Sequence, residues 1–134
     1  MSGLVLKLAP KERILINKAL IQNGERRTRF SILTPDVNLL RLRDAIHPSD
    51  TTTPVKKICH IAQLVLSGDA DPKEAKIQLI RGLEQLDLVF VEGESRRCLL
   101  EAKNAVMTKH YYQALKLIRR LIQYENEIIN NSRS

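Results

Sequence analysis

The strongest constraint on the fold is a change in hydrophobic period near residue 45 of the 134-residue chain. Before that point apolar and polar residues alternate, which is the period of β-strands, because successive side chains point to opposite faces. After it, apolar residues recur every three or four positions, as on amphipathic helices. This order predicts an α+β fold: a small five-stranded antiparallel β segment over residues 1–46, followed by a helical bundle of about four helices over residues 53–131.

Turn-forming residues divide the β segment into short pieces. The predicted strands are Leu4–Leu8, Arg13–Ile16, Ala19–Gln22, Arg27–Leu33 and Val37–Arg43. Asn17-Lys18 is a candidate tight turn, and Asn23-Gly24 predicts a type I′ hairpin turn, in which both central residues need a positive φ. Thr34-Pro35-Asp36 is predicted to end the fourth strand.

Capping residues predict where the helices begin and end in the second half of the chain. Thr53-Pro54 and Asp71-Pro72 each combine an N-cap side chain with a proline at the first helical position, and Gly68 is placed to end the first helix. A third helix is predicted from Ser95, with a break near Lys109-His110 before the last. Each helix is amphipathic and therefore needs a partner, which favours a bundle.

The charge balance favours an anionic partner. Lysine and arginine number 22 against 15 acidic residues, a net charge of +7 that is spread along the chain rather than concentrated in a tail. Such a balance suits nucleic acid, a membrane surface or an acidic protein. The sequence lacks a signal-peptide pattern and an apolar run of the roughly 20 residues that a membrane helix needs. We therefore expect a cytoplasmic protein without a membrane partner, with Cys59 and Cys98 as buried free thiols.

Arginines are concentrated in the β segment. A period of two places Arg27 with Arg29, and Arg41 with Arg43, on one side of each predicted strand. Arg13 and Arg26 bring the number of arginines to six. The planar guanidinium fork pairs with phosphate or a guanine edge better than lysine does. A solvated sheet face explains the same charges about equally well, and the preference for arginine over lysine shifts the balance modestly toward binding.

Two other classes of function find little support. Phe30 is the only aromatic residue of the β segment and lies on its apolar face, so a base-stacking platform is not expected. His47, His60 and His110 are dispersed without carboxylates or thiols at metal-ligand spacing, and no nucleotide-binding glycine motif is present. We therefore expect a binding protein that is not an enzyme and uses no cofactor or metal.

These residues carry a family resemblance that covers essentially the whole chain. The segments that resemble the FlbT family are Leu4–Pro10, Glu12–Ile14, Asn23-Gly24 with Arg26-Arg27, Leu40-Arg41 and Thr53-Pro54. The family consists of flagellum biosynthesis repressors of α-proteobacteria. The resemblance implies post-transcriptional control, in which the protein associates with the 5′ untranslated region of flagellin mRNA and lowers its translation and stability. Some members act positively, so the sign of regulation stays open.

The β segment also resembles the carbon storage regulator, a translational repressor, in architecture. The shared pattern is five short strands with Thr34-Pro35 before the last, and then Leu42–Ile46. In that family the first and last strands form the RNA surface and pair between subunits. The resemblance implies RNA contacts at Lys7 and Arg43, with Arg41 as a rival for the second position, and a homodimer.

The leading hypothesis is that the protein binds the leader of flagellin mRNA. Its predicted RNA-binding residues are Lys7, Arg13, Arg26, Arg27, Arg29, Arg41 and Arg43. The alternative is a protein-interaction adaptor whose helical face over residues 96–129 binds flagellin or another flagellar regulator without touching RNA. Within that face, His110–Leu115 is similar to the start of the second helix of a helical hairpin repeat, which packing alone also explains. A membrane-surface or DNA-binding protein has little support, because no predicted helix is strongly basic on one face.

Overall fold

The computed structural model describes residues 4–34 and 37–132, and it has the α+β order expected from the sequence. The described strands and α-helices are β1 (Leu4–Leu8), β2 (Arg13–Ile16), β3 (Ala19–Gln22), β4 (Thr28–Ile32), β5 (Leu39–Arg41), α1 (Pro54–Ser67), α2 (Pro72–Gln85), α3 (Gly93–Met107) and α4 (Tyr111–Ser132). Short 3-10 helices cover Leu42–Asp44, Pro48–Asp50 and Leu86–Leu88. The predicted strand break at Pro35-Asp36 lies outside the described residues, although β4 ends at Ile32, just before it.

The described strands form two antiparallel sheets rather than one five-stranded segment. β1 pairs with β4, and β2 lies between β3 and β5. The predicted tight turn is confirmed: Asn17 and Lys18 have φ values of 48° and 73° and join β2 to β3. Positive φ at both central residues is what a type I′ turn requires.

The prediction of a hairpin turn at Asn23-Gly24 is wrong. The φ angle of Gly24 is not positive, and β3 does not pair with β4. The Asn23 side chain instead donates hydrogen bonds to the carbonyl oxygens of Ala9 at 2.8 Å and Arg26 at 2.9 Å. These contacts fasten the connection between the two sheets, because an asparagine amide can replace missing backbone partners.

The fifth strand is shorter than predicted. It ends at Arg41, and Leu42–Asp44 turns into a 3-10 helix. Arg41 and Arg43 therefore do not share one face of a strand, as the alternation had suggested. The same end is seen in the ladder, in which β5 pairs with β2 from Leu39 to Arg41 and the last pair is Ile14–Arg41.

The helix ends confirm the capping analysis. The Thr53 hydroxyl accepts the Lys56 N–H at 3.3 Å, and the Asp71 carboxylate accepts the Lys73 N–H at 3.2 Å. Gly68 ends α1 with a φ of 81°, a left-handed conformation that costs glycine little. The predicted break before α4 is present, with Lys109 at a φ of 64°.

Two hydrophobic clusters hold these elements together. The smaller lies between the two sheets and consists of Leu6, Leu8, Ile14 and Leu39. The larger fills the space between the four described α-helices and also takes in Leu40 of β5. Because Leu39 and Leu40 point to opposite faces of β5, this strand joins both clusters.

Both cysteines lie in the larger cluster. Cys59 and Cys98 are free and buried, and the Cys98 thiol donates to the Leu117 carbonyl oxygen at 3.2 Å. Burial raises the pKa of the Cys59 thiol to about 11. Both side chains therefore act as small apolar groups, as the sequence predicted.

Glu125 of α4 accepts hydrogen bonds from the N-terminus of α1. Its buried carboxylate accepts hydrogen bonds from the Thr53 hydroxyl and, at 3.0 Å, from the Val55 N–H. We expect Glu125→Gln to lower the free energy of unfolding by about 1–2 kcal/mol, because an amide nitrogen would face these donors. Glu127→Gln, the same change at an exposed position of α4, should have almost no effect in urea unfolding. Equal losses in both variants would contradict the role of Glu125.

A cationic groove between the two sheets

Residues of β1, β4, β5 and the first 3-10 helix line an open surface groove of about 770 Å³. This cationic groove is lined by Val5, Lys7, Leu8, Ala9, Arg27, Thr28, Arg29, Arg41 and Arg43. Five of the seven cations predicted from the sequence therefore meet at one place. The volume of the groove lies within the range of volumes that ligand pockets in proteins have.

The register of β1 against β4 explains why Lys7 and Arg29 belong to the groove. They are directly opposed across the antiparallel ladder, so their side chains project from the same face. Leu6, Leu8 and Phe30 take the other face and pack into the cluster between the sheets. Hydrophobic alternation thus turns the cations outward, as the sequence predicted.

Within the part of the chain that the structure describes, these outward cations have no counter-charge. Lys7, Arg27 and Arg29 are exposed, and none forms an ion pair with a residue in the described part of the chain. Like charges directly opposite each other on a sheet are destabilising. The Lys7–Arg29 pair therefore has an unfavourable interaction that a bound anion would relieve.

Arg41 also lines the groove, but unlike Lys7, Arg27 and Arg29 it is buried and forms an ion pair. The residue is only 6% exposed, and its guanidinium Nε and Nη2 donate to the two carboxylate oxygens of Glu12, each at 2.7 Å. Nη2 also donates to the Lys7 carbonyl oxygen at 2.7 Å. This fork connects β5 to β1 and to the segment before β2.

Glu12 is a residue of this site that the sequence analysis did not identify. Its side chain is 6% exposed, and its Oε1 also accepts the Ala9 N–H at 3.0 Å. The hydrogen bonds from Arg41, helped by the Ala9 N–H and the charge of Arg43, hold the pKa of the Glu12 carboxyl below its ordinary value against the opposing effect of burial. Glu12 therefore stays ionised at neutral pH.

Arg43 keeps its guanidinium accessible. It lies in the 3-10 helix after β5, its side chain is 57% exposed, and its Nε is 3.8 Å from Glu12 Oε2. Glu12 thus brings Arg41 and Arg43 together although they do not share a strand face. The two arginines differ in what they can do, since only Arg43 presents most of its fork to solvent.

Tyr112 connects this wall to the helices. It lies in the first turn of α4 and packs against both hydrophobic clusters. Burial raises the pKa of the Tyr112 hydroxyl, and the nearby Arg41 guanidinium partly offsets that rise. The sequence showed Tyr112 only as part of a helical pattern, because nothing local indicates its contact with the β segment.

The other two predicted cations are not part of the groove lining. Arg13 pairs with Gln22 across the β2–β3 ladder, and it lies on the face of β2 opposite to Ile14. Arg26 is exposed before β4, where its carbonyl oxygen accepts hydrogen bonds from the side chains of Asn23 and Thr28. Both can contribute to the field around the groove without lining it.

The chemistry available in the groove is the binding of anions. Arginine forks and a lysine ammonium suit phosphate oxygens, and none of the described residues that line the groove is a carboxylate. Within residues 4–34 and 37–132 no three His, Cys, Asp or Glu side chains are grouped as metal ligands. None of the helices in the same residues is both long enough and apolar enough to cross a membrane.

The fold and groove define a class: an α+β protein whose N-terminal strands present a cationic groove against a helical bundle. The model of the family described as flagellar protein FlbT matches residues 4–129, and the chain belongs to this family. No solved structure gives a significant match.

Curated relatives match this chain over most of their length. The flagellum biosynthesis repressor protein FlbT of Caulobacter vibrioides is 30% identical over 125 residues, which are 92% of this chain and 87% of that protein. A probable repressor of the same name from Bradyrhizobium diazoefficiens is 31% identical over 128 residues, 94% of this chain and 84% of that protein. A third, from Caulobacter sp. strain K31, is 30% identical and covers 92% of this chain and 94% of its own length.

Proposed function

We propose that this protein regulates flagellar synthesis by binding the 5′ leader of flagellin mRNA in the cationic groove. Membership of the FlbT family supports the regulatory role in flagellar synthesis, and the names of the relatives favour repression. The bound leader would be withheld from ribosomes or passed to decay. The protein would act in the cytoplasm, where the message is translated.

The observation that carries the RNA proposal is the opposed Lys7–Arg29 pair with Arg27 beside it. A chain that only needed a solvated sheet face would gain by placing a carboxylate opposite one of these cations. The groove instead keeps them together and unpaired within the described residues. A polyanion satisfies several such cations at once, and its binding releases counterions.

The predicted residues divide into three roles. Lys7, Arg27, Arg29 and Arg43 contact the RNA, because they are exposed and line the groove. Arg41 holds the wall of the groove, so Arg43 is favoured as the arginine that makes the main contact from the end of β5. Arg13 and Arg26 add long-range attraction.

Recognition would rest on phosphates, base edges and ribose hydroxyls rather than on stacking. Phe30 is turned into the cluster between the sheets, and the described residues that line the groove include no aromatic side chain. Arginine forks can supply both backbone contacts and base readout.

A binding titration tests the proposal. Labelled flagellin leader and a scrambled leader of equal length are each titrated with the protein across a salt series. We expect tighter binding of the true leader at every salt concentration, with affinity falling as salt rises. Equal affinity for both RNAs would leave only generic charge attraction and would overturn the proposal of a specific leader complex.

A homodimer is part of the proposal, since the architectural resemblance implies one. Of the two strands that pair between subunits in the carbon storage regulator family, β5 is buried, whereas β1 lies at the edge of its sheet within the described residues and exposes Leu4, Val5 and Lys7, so a second copy could pair there. Sedimentation equilibrium with and without leader RNA measures the state. A monomer under both conditions would rule the dimer out.

A second candidate function has one observation in its favour. The corner between α2 and α3 exposes Leu88 at 90%, with Val91 also exposed and Glu92 and Glu94 beside them. An apolar strip with an acidic rim suits a basic amphipathic segment of another flagellar protein. An adaptor would use this corner, which precedes the predicted 96–129 face along the chain.

The two functions separate by mutation. If the protein is an adaptor, Leu88→Ser with Val91→Ser abolishes its regulation of flagellin while groove variants leave that regulation intact. If it binds the leader, groove variants abolish regulation and the corner variant preserves it. Flagellin synthesis in a strain that carries each variant is the measurement.

A further inference from the structure

The cationic groove has an acidic residue behind its wall, which is unexpected in a surface for RNA. Glu12 removes one unit of positive charge from the vicinity of Lys7, Arg41 and Arg43. On charge alone, RNA binding would be stronger without it. The contacts of Glu12 point to a different role.

Glu12 fixes three separate parts of the wall at once. Its two carboxylate oxygens hold the Arg41 fork, and the same fork donates to the Lys7 carbonyl oxygen at 2.7 Å. Glu12 also closes the turn after β1, since its Oε1 accepts the Ala9 N–H while its own N–H donates to the Ala9 carbonyl oxygen at 3.1 Å. Through these bonds one carboxylate sets the distance between β1, which carries Lys7, and the end of β5, which leads into Arg43.

The helices support the same wall from behind. Tyr112 packs against both hydrophobic clusters, and burial raises the pKa of its hydroxyl while the nearby Arg41 guanidinium lowers it in part. Lys116, one turn further along α4, places its Nζ 5.5 Å from the centre of the Tyr112 ring. The Glu12–Arg41 pair is therefore held from the β side and the helical side together.

We propose that Glu12 is a positioning residue for RNA binding: through Arg41 it sets the spacing of Lys7 and Arg29 relative to Arg43, and it does not contact the RNA. This inference rests on the proposed function of the groove. Groups held in place by such a supporting contact lose less freedom on binding, so their contacts become more favourable.

The proposal and simple electrostatics predict opposite signs for one substitution. Glu12→Gln keeps the shape of the side chain and adds one unit of net positive charge. If only charge mattered, the leader RNA would bind more tightly. If Glu12 positions the cations, the variant binds about 10-fold more weakly, which is the effect of about 1.4 kcal/mol.

Fluorescence anisotropy with labelled flagellin leader measures this on the full chain, at a temperature where circular dichroism shows the variant to be folded. The slope of log affinity against log salt should stay close to that of the unchanged protein, because no phosphate-contacting cation is removed. Glu25→Gln is the matched control, since it removes an exposed carboxylate before β4 and should bind equally or slightly more tightly.

Arg41→Lys gives a second test that does not depend on the folding of the first variant. Lysine retains the charge and can pair with Glu12, but it cannot fork onto both carboxylate oxygens and the Lys7 carbonyl oxygen. Weaker binding with an unchanged salt slope is again expected. Folded Glu12→Gln or Arg41→Lys protein that binds as tightly as the unchanged protein would overturn the inference. Failure of the unchanged protein to prefer the leader would instead overturn the proposed function.

Discussion

Replacing Lys7 and Arg29 together with glutamine is expected to weaken binding of the flagellin leader about 100-fold at fixed salt. Each cation should contribute about 1–3 kcal/mol to the binding free energy. A loss of about 1.4 kcal/mol weakens binding about tenfold, and two such losses weaken it about 100-fold. The two side chains are directly opposed on β1 and β4, so the change removes the centre of the groove. The salt slope should also become shallower by about 1.4, because roughly 0.7 is lost per phosphate contact with single-stranded RNA.

A charge-matched double variant separates this effect from net charge. Lys73→Gln with Arg81→Gln removes one lysine and one arginine from exposed positions of α2. We expect it to bind the leader within about twofold of the unchanged protein, because those cations lie outside the groove lining. Equal weakening of both double variants would show that RNA responds to the total charge and not to the groove.

Arg41→Met is expected to produce the largest loss of stability among the groove residues, about 3–5 kcal/mol of the free energy of unfolding at neutral pH. The reason is that the buried Glu12 carboxylate would lose both hydrogen bonds from Arg41 and keep only the more distant Arg43 as a cationic partner. Arg43→Met, the same change at an exposed neighbour, should shift stability by no more than about 0.5 kcal/mol. Urea unfolding monitored by circular dichroism measures both values.

The effect of Arg41→Met should depend on pH in a definite direction. The folded-state pKa of Glu12 is lowered, so its pairing with Arg41 contributes fully above the ordinary value of 4.5 and is lost as the pH falls through the folded-state pKa. The unchanged protein and the variant should therefore approach each other in stability below about pH 4.5. Adding Glu12→Gln to Arg41→Met should recover much of the neutral-pH loss. A pH-independent difference would contradict the ion-pair explanation.

Local patterns predicted most of the secondary structure. Period-two alternation placed β1 to β4 within one residue at each end, and N-cap and proline signals located the starts of α1 and α2. Alternation also placed Arg29 on the face of its strand opposite to Phe30. These features depend on neighbours in sequence, which is why they are readable from it.

The remaining features depend on residues distant in sequence. Asn23-Gly24 has the residues of a hairpin turn, but hydrogen bonds from Asn23 to the end of β1 favour a connection between sheets. The pairing of Arg41 depends on Glu12, 29 residues earlier in the chain. Alternation treats every arginine as a solvent-facing residue, so it could not separate Arg41 from Arg43. An acidic residue beside an arginine-rich strand is too common a pattern to single out Glu12.

The burial of the two native thiols makes this chain a convenient substrate for site-directed labelling. A maleimide reacts with thiolate, and Cys59, with a pKa of about 11, offers almost none at neutral pH. A cysteine introduced at Ser31, exposed on β4 just beyond the groove lining, would then take a dye or crosslinker selectively. Reporters placed there can follow an RNA into the groove without any change to the native cysteines.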